Sequence, residues 1–299
     1  MTLQQLKYVV TVAECGNITE AAKQLFVSQP TVTSAIHDLE KEMQIVIFIR
    51  TNKGVILSED GERFLGHARQ VLEQVDLIEG IYKDDAVSKP HFAVSCQHYS
   101  FAVNAFVDVI RVFDAYQYDF TIREEQTHEI IEDVTNLKSE LGVIYLSSKN
   151  TEVLSKMLKR NELEFTELFT ATPHVFICDS HPLASKNSIT MDDLQDYPYL
   201  TYEQGEYNSQ YFSEEFVSTL DSRKNIRVRD RATLFNLIIG LNGYTVCSGV
   251  ISAELNGRNI ISKPLDVEEY MRIGIISRKG VVLSRYAREY IEALKAHCM

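Results

Sequence analysis

The sequence predicts an α/β protein in which a small helical head and one long helix precede a larger domain of alternating strands and helices. Three patterns support this fold class. Apolar residues recur at helical spacing through residues 3–43, and they alternate spacings of four and three through residues 64–82. From His91 onward, short strand-like runs alternate with helical ones. A chain of 299 residues is long enough for two or three folded units.

The composition is that of an ordinary globular protein, with 45% hydrophobic and 24% charged residues. We expect a cytoplasmic protein with no membrane partner, because the sequence has no long apolar run and no signal-peptide pattern at its start. The net charge of −12 excludes a nonspecific polycation, yet residues 1–57 carry five basic and five acidic side chains. Such a neutral head can bind DNA if its few cations and helix N-termini face phosphates.

Three short helices are predicted in the head. The first covers residues 2–15, with Thr2 in a capping-box position and Gly16 as its stop. The second starts after Asn17, and the third starts after Ser28 with a proline in its first turn. A tight turn joins the second helix to the third, and this arrangement is typical of a helix-turn-helix.

The third helix has an apolar face and a polar face. The apolar stripe consists of Val32, Ala35, Ile36, Leu39 and Met43. The remaining positions carry Gln29, Pro30, Thr31, Thr33, Ser34 and His37. Short polar side chains of this kind reach base edges or phosphates without requiring a counter-ion, so we expect this face to contact double-stranded DNA. The alternative, in which Ser28 and Pro30 only cap a helix, accounts for those two residues alone.

A small hairpin with a basic tip is predicted next. Apolar stretches at 45–49 and 55–57 flank the tip, which contains Arg50 and Lys53. On a helix-turn-helix core such a hairpin would be a wing, and its two cations would contact the DNA backbone or minor groove.

These residues resemble the signature of the LysR-type transcriptional regulators. The run Ala21–Glu40 is similar to the family pattern A-A, L, S-Q-P, a small residue, V-S, I and L-E. Further matches are Phe48 with Arg50 for F-x-R, and Leu57-Ser58 with Gly61 for L-T-x-x-G. Met43-Gln44 departs from the family's Leu-Gly, which suits a left-handed turn before the wing. The resemblance implies a sequence-specific transcription regulator that binds operator DNA.

A long helix is predicted after the hairpin, with Ser58 as its N-cap and its end near Asp84-Asp85. The apolar positions that form a coiled-coil-like seam are Phe64, Ala68, Val71, Val75, Ile78 and Tyr82. The alternative is an amphipathic helix packed on its own domain. We favour pairing of two subunits, because a helix-turn-helix gains specificity by binding two half-sites. The resemblance implies the same homo-oligomer, with two dimers forming a tetramer and RNA polymerase as a candidate partner.

The second half of the chain predicts an α/β domain with a mostly parallel sheet. The predicted strands are 91–96, 120–124 and 141–146 with a further strand within 168–178, and the predicted helices are 101–116 and 127–138. The resemblance implies two lobes around a cleft, as in periplasmic solute-binding proteins.

The predicted organisation has three parts. Residues 1–58 form a winged helix-turn-helix domain, residues 59–87 a dimerising linker helix, and residues 88–299 an effector-binding domain. Within this domain, lobe one takes 88–164 and 264–299, and lobe two takes 165–263.

Polar side chains gather where the first strand of this domain ends and a helix begins. Ligands of open α/β folds lie beyond the carboxyl ends of strands, often on helix N-termini. The candidate effector-binding residues at this position, and at the position that the family implies across the cleft, are Ser95, Gln97, His98, Ser100, Thr201 and Tyr202. Hydroxyl, amide and imidazole groups suit a small polar or anionic metabolite. The alternative is that strand-end polar residues only cap the next helix.

Other classes of function fit the sequence less well. It lacks the P-loop, nucleophile-elbow and zincin motifs, so we expect neither an enzyme nor a metal or other cofactor. A solute-binding transport protein would lack the DNA-binding head. A thiol-based redox-sensing regulator remains as the alternative. The five cysteines are odd in number, are widely spaced and form no C-x-x-C, and Cys96 is the thiol nearest the expected pocket.

Overall fold

The computed structural model describes residues 1–52, 54–82, 90–113, 117–205, 211–215, 223–251 and 258–298, excepting the side chains of 73, 76, 77 and 79–82. The predicted wing cation Lys53 and the predicted helix end at Asp84-Asp85 lie outside these residues. The chain divides into two compact units. The first consists mainly of Met1–His91, and the second contains most of the chain that follows.

The first unit begins with the three predicted helices, α1 (Leu3–Cys15), α2 (Ile18–Gln24) and α3 (Gln29–Met43). The side chains of Thr2, Asn17 and Ser28 cap these helices by accepting backbone N–H bonds. The apolar faces of the helices pack into one core, whose members include Val9, Val12, Ala22, Val32, Ile36 and Leu39. Because α3 buries Val32, Ile36 and Leu39 in this core, its opposite face points outward.

The turn after α3 is left-handed, although the residue in it is Gln44 and not a glycine. Gln44 adopts the left-handed conformation, with φ 57° and ψ 35°, and its N–H donates to the Glu40 carbonyl. A residue other than glycine pays about 1–2 kcal/mol for this conformation. Glu40 also fixes the start of the wing, because its Oε1 accepts from Ile47 N at 2.7 Å and from Phe48 N at 3.1 Å.

The wing is an antiparallel pair of strands, β1 (Phe48–Thr51) and β2 (Gly54–Leu57), with Phe48 opposite Leu57. The helix α4 (Glu59–Tyr82) follows it directly. Ser58 caps this helix as predicted, since its Oγ accepts from Gly61 N at 2.9 Å.

The predicted seam of α4 divides into a buried part and an exposed part. Phe64 packs on the core of the head and Ala68 is buried. Farther along the helix, Val71 is 40% exposed and Ile78 is 58% exposed. The start of α4 therefore belongs to its own head, as in the alternative interpretation, while Val71 and Ile78 remain on the surface. The side chain of Tyr82 lies outside the description.

The rest of the chain alternates strands and helices. In order these are β3 (His91–Cys96), α5 (Ser100–Phe113), β4 (Asp119–Glu124), α6 (Thr127–Thr135), β5 (Leu141–Leu146), α7 (Thr151–Arg160), β6 (Leu163–Ala171), β7 (His174–Cys178), a 3-10 turn (Asp192–Leu194), β8 (Tyr199–Tyr202), β9 (Asn225–Val228), α8 (Arg231–Leu241), β10 (Thr245–Cys247), β11 (Ile260–Pro264), β12 (Met271–Arg278) and α9 (Arg285–Cys298). None of the described helices is long and apolar enough to cross a membrane.

The largest sheet is mixed and the three-stranded sheet is antiparallel, so the expectation of a mostly parallel sheet is wrong. A five-stranded sheet has the order β4-β3-β5-β12-β6, a three-stranded sheet has β10-β7-β11, and β8 pairs with β9. β3 and β5 are parallel, but β12 runs antiparallel to both β5 and β6, and β7 is antiparallel to both of its neighbours. β12 comes from near the end of the chain and inserts between two earlier strands, which a local rhythm of strands and helices does not reveal.

The central strand β5 is buried at all six positions because both faces of its sheet are covered. On one face, Val143 and Tyr145 pack in the core that includes α5 and α9. On the other face, Ile144 and Leu146 pack with residues of α6 and α7. This sandwich fixes the end of β3 and the start of α5, where the sequence predicts the effector site.

Candidate functional site

The outward face of α3 carries the side chains predicted to contact DNA. Five of them are exposed and Thr33 is half-buried; the exposed ones are Gln29, Pro30, Thr31, Ser34 and His37. Gln29 Nε2 donates to Thr33 Oγ1 at 2.7 Å, and Thr31 Oγ1 lies 2.7 Å from the capping Ser28 Oγ. The first turn therefore presents an ordered row of amide and hydroxyl groups to solvent.

The wing adds one described cation to the head. Arg50 lies on β1 and is exposed. Its position on a paired strand holds its backbone, while the long side chain is free to extend toward a phosphate.

Two of the predicted effector-binding residues belong to interior hydrogen-bond networks. Ser95 is fully buried, and its Oγ donates to Asp133 Oδ2 at 2.9 Å. Gln97 is 1% exposed, its Nε2 donates to Thr127 Oγ1 at 2.7 Å, and its Oε1 accepts from Tyr145 N at 3.0 Å. These bonds join β3 to α6 and β5, and neither residue is part of the cavity lining described next.

Three of the other four predicted residues, His98, Ser100 and Tyr202, line one cavity of about 40 Å³. The polar side chains that line it include His98, Ser100, Tyr202, Glu214, Glu215 and Arg231. Thr201 is on the same strand as Tyr202 but is not among the lining residues. A space of this size holds a few water molecules, far less than an organic metabolite requires.

Glu214 is bound at the N-terminal end of α5. Its Oε2 accepts from His98 N at 3.0 Å and lies 2.8 Å from His98 Nδ1, while its Oε1 accepts from Gln204 Nε2 at 3.2 Å. The side chains of His98 and Glu214 are 4% and 5% exposed. Burial alone would lower the pKa of His98, but the Glu214 carboxylate, with a smaller contribution from Glu124, outweighs it and raises this pKa.

A protonated His98 satisfies both of its ring nitrogens. Nδ1 donates to Glu214, and Nε2 lies 3.1 Å from the carbonyl oxygen of Arg229, which can only accept. The ring also stacks on Tyr202, with centroids 3.8 Å apart and planes within 6°. The imidazole is therefore held at both ring nitrogens and on one face by residues of other elements.

Glu215 is the second carboxyl at the cavity. Its Oε1 accepts from Tyr202 N at 2.6 Å, and its Oε2 accepts from Ser213 Oγ at 2.9 Å. Burial and the neighbouring Glu214 raise the pKa of Glu215 to about 8. This shift favours the protonated form of Glu215 and so limits the negative charge buried at this position.

Arg231 is the first residue of α8 and forms an ion pair with Glu124, the last residue of β4, at 3.0 Å. Its other terminal nitrogen, Nη1, is buried with no hydrogen-bond partner among the described residues. A donor of this kind beside a cavity is suited to an oxygen of a ligand.

Sequence reasoning missed Glu214, Glu215 and Arg231. The rule that ligands lie where a strand ends and a helix begins could have found Arg231, because β9 ends three residues before it. No comparable local signal identifies the two glutamates. They follow β8 in a polar stretch without periodicity, and only the folded chain brings them to His98.

His98 also lines a second and more open cavity of about 570 Å³. Its lining is mainly acidic and includes Glu124, Glu125, Glu129 and Glu203, with Arg229 as a cation. Arg229 is itself paired with Glu203. The negative charge disfavours an anion in this cavity, whereas the first cavity has Arg231 in its lining. No three metal-binding side chains come together anywhere in the described ranges.

Two family models match the chain and together account for most of it. Residues 3–62 match the model described as "Bacterial regulatory helix-turn-helix protein, lysR family". Residues 98–299 match the model described as "LysR substrate binding domain".

Individual relatives are similar along their whole length. An HTH-type transcriptional regulator of Bacillus subtilis (strain 168), YvbU, is 27% identical, with 99% of this chain and 98% of the relative covered. The DNA-binding transcriptional dual regulator OxyR of Escherichia coli (strain K12) is 23% identical, with 99% and 95% covered. Among solved structures, a full-length OxyR variant from Pseudomonas aeruginosa covers 100% of this chain and 94% of that chain, with a TM-score of 0.63 and 22% identity. At this identity the structural similarity concerns the fold.

Proposed function

The chain belongs to the LysR family of bacterial regulatory proteins, and on that basis we propose that α3 reads operator DNA under the control of a small effector. As a member of the family it is a DNA-binding transcription regulator with an effector-binding domain. We assign DNA binding to residues 1–58, subunit pairing to residues 59–87 and effector binding to residues 88–299.

The observation that carries the DNA-binding assignment is the division of α3 into two faces. Its apolar residues are buried in the head, and Gln29, Ser34 and His37 are exposed on the opposite side. Gln29 lies in the first turn, and its amide can exchange the bond to Thr33 for a bidentate contact with adenine in the major groove. Arg50 on the wing carries the charge for a phosphate contact.

Substitution of Gln29 and of Arg50 should separate base reading from backbone binding. Gln29→Ala should lose about 1–3 kcal/mol of affinity for the cognate operator and relax preference at one base position per half-site. Arg50→Ala should weaken cognate and random DNA alike and reduce the slope of log affinity against log salt by about one. A salt titration of both variants on both DNAs measures this. Equal losses of Gln29→Ala on cognate and random DNA would contradict the assignment.

We place the effector at the junction of β3 and α5, where His98 and Ser100 line one cavity with Tyr202 of β8. The support is the set of donors gathered there, to which Arg231 adds an unpaired N–H. Donors of this kind favour a small polar or anionic metabolite. Ser95, Gln97 and Thr201, which the sequence also predicted, are outside this cavity lining and are left out of the proposed contacts.

A thermal-shift screen of organic acids, amino acids and sulfur metabolites tests this placement. A ligand at 100 times its Kd should stabilise the chain by about 2.7 kcal/mol. Ser100→Ala should weaken this response. Thr201→Ala is the matched control and should retain the response in full. A response lost in Thr201→Ala but retained in Ser100→Ala would place the site elsewhere.

We favour a small-molecule effector over the thiol-based alternative, although similarity to OxyR supports the latter. On the paired strands β7 and β10, Cys247 lies opposite His174, four residues from Cys178. At about 3.4 Å per residue this separates the two cysteines by about 14 Å along the strand, too far for a disulfide. Burial raises the pKa of the Cys96 thiol well above its ordinary value and thus disfavours the reactive thiolate.

A further inference from the structure

The proposed effector cavity is small because the chain itself occupies the space. Residues 211–215, which we call the acidic segment, place Glu214 and Glu215 in the cavity wall. With the acidic segment in position the cavity is about 40 Å³, whereas sites for small organic ligands have volumes of about 300–1,000 Å³. A metabolite of ordinary size therefore fits this cavity only if part of the wall moves, and the acidic segment is the part that brings two carboxyl groups into it.

The acidic segment uses the donors that a ligand would need. The Glu214 carboxylate forms hydrogen bonds with the backbone N–H and the ring of His98 and with the side-chain amide of Gln204. Glu215 accepts a hydrogen bond from the backbone N–H of Tyr202. These are groups at the end of β3 and the end of β8, the two positions where the fold predicts ligand contacts. The chain thus presents two carboxyl groups of its own in the manner of a bound acid.

The acidic segment also connects elements that are distant in sequence. The hydroxyl of Thr127, at the start of α6, donates to the Phe212 carbonyl at 2.7 Å. The hydroxyl of Tyr145, on β5, donates to the Glu215 carbonyl at 3.3 Å. Together with the bond from Tyr202 N to Glu215, these contacts hold the five-stranded sheet and helix α6 against β8. Displacement of the segment would break all of these contacts at once.

We propose that residues 211–215 act as a tethered acidic ligand, and that a soluble carboxylic acid binds by displacing Glu214 from His98. This inference rests on the proposed effector site and specifies the chemical class of its ligand. The device is autoinhibitory, because the tethered carboxylate must leave before the effector can occupy the same donors.

Charge explains why the incoming ligand is an acid. The His98–Glu214 pair is buried, and removing the carboxylate alone leaves a protonated imidazole without its counter-ion. A ligand carboxylate restores the same pairing, so the exchange conserves buried charge. A tethered group has an effective concentration of the order of millimolar, so a successful effector needs contacts that Glu214 lacks. The unpartnered Nη1 of Arg231 offers one of them.

Deletion of the tethered carboxylate and its replacement by a free one tests the proposal. Glu214→Ala removes a CH₂–COO⁻ group, for which acetate is the soluble equivalent. In thermal unfolding at constant ionic strength, acetate should stabilise Glu214→Ala saturably, with a half-saturating concentration at least about tenfold below that of the wild-type chain. Glu292→Ala, which removes an exposed carboxylate paired with Lys295, is the control and should behave as wild type. An acetate response equal in all three proteins would overturn the proposal.

A second variant keeps the test decisive if Glu214→Ala does not fold. Glu214→Gln preserves the size of the side chain and removes its charge, so the pKa of His98, followed by NMR, should fall relative to wild type. A His98 pKa that is unchanged in Glu214→Gln contradicts the ion pair on which the proposal depends. Operator affinity of the wild-type chain, measured without acetate, tests the proposed function separately. If the wild-type chain does not bind the operator, the proposed function is refuted, while the acetate and NMR results still test the tethered ligand.

Discussion

Replacement of both Val71 and Ile78 by aspartate should reduce operator affinity by about 10²–10⁴-fold while leaving the protomer folded. Both side chains are substantially exposed on α4, so their replacement removes little packing from the protomer. In a paired helix the same positions would lie in an apolar interface, where four carboxylates per dimer repel one another and lose hydration. A separated protomer binds one half-site at a time and loses the gain from simultaneous binding.

The matched control is Val153→Asp, because Val153 is a valine of similar exposure, at 36%, on the different helix α7. Light scattering should give a smaller species for the α4 variant and an unchanged species for the control. Fluorescence anisotropy on a full operator and on an isolated half-site should show the loss only on the full operator. If the α4 variant retains its oligomeric state and its affinity, α4 does not pair the subunits through this face.

The head could be predicted almost completely because its determinants are local. Thr2, Asn17 and Ser28 form their caps within three residues, and a cap is therefore visible in any short window of sequence. The helical period of α3 likewise separates its buried and exposed faces. Gln44 shows that residue type alone does not predict every turn, since a left-handed turn forms there without the expected glycine.

The proposed effector site could be predicted only in part because the residues that form the cavity are distant in sequence. The end of β3 was placed correctly, but the pleat and the neighbouring helices decide that Ser95 turns inward and that Ser100 lines the cavity. Glu214 lies 116 residues from His98 along the chain, and nothing in its local pattern indicates that contact. The alternation of strands and helices likewise carries no information on strand direction, so the antiparallel β12 was missed.

Gly61→Ala should destabilise the head by about 3 kcal/mol, whereas the same substitution at Gly240 should stabilise the chain by about 0.5–1 kcal/mol. Gly61 lies in the first turn of α4, where an added Cβ would come within 2.1 Å of the Ile47 carbonyl oxygen. That oxygen accepts from Ser58 N at 3.0 Å, so the backbone cannot retreat without breaking the bond that joins the wing to α4. Gly240 is exposed within α8 and an added Cβ meets no atom within 4 Å, so alanine there only improves helix propensity. Thermal unfolding and operator binding of both variants measure the difference. If Gly61→Ala is as stable as wild type and binds the operator equally well, close contact between the start of α4 and the wing is not what requires glycine at this position.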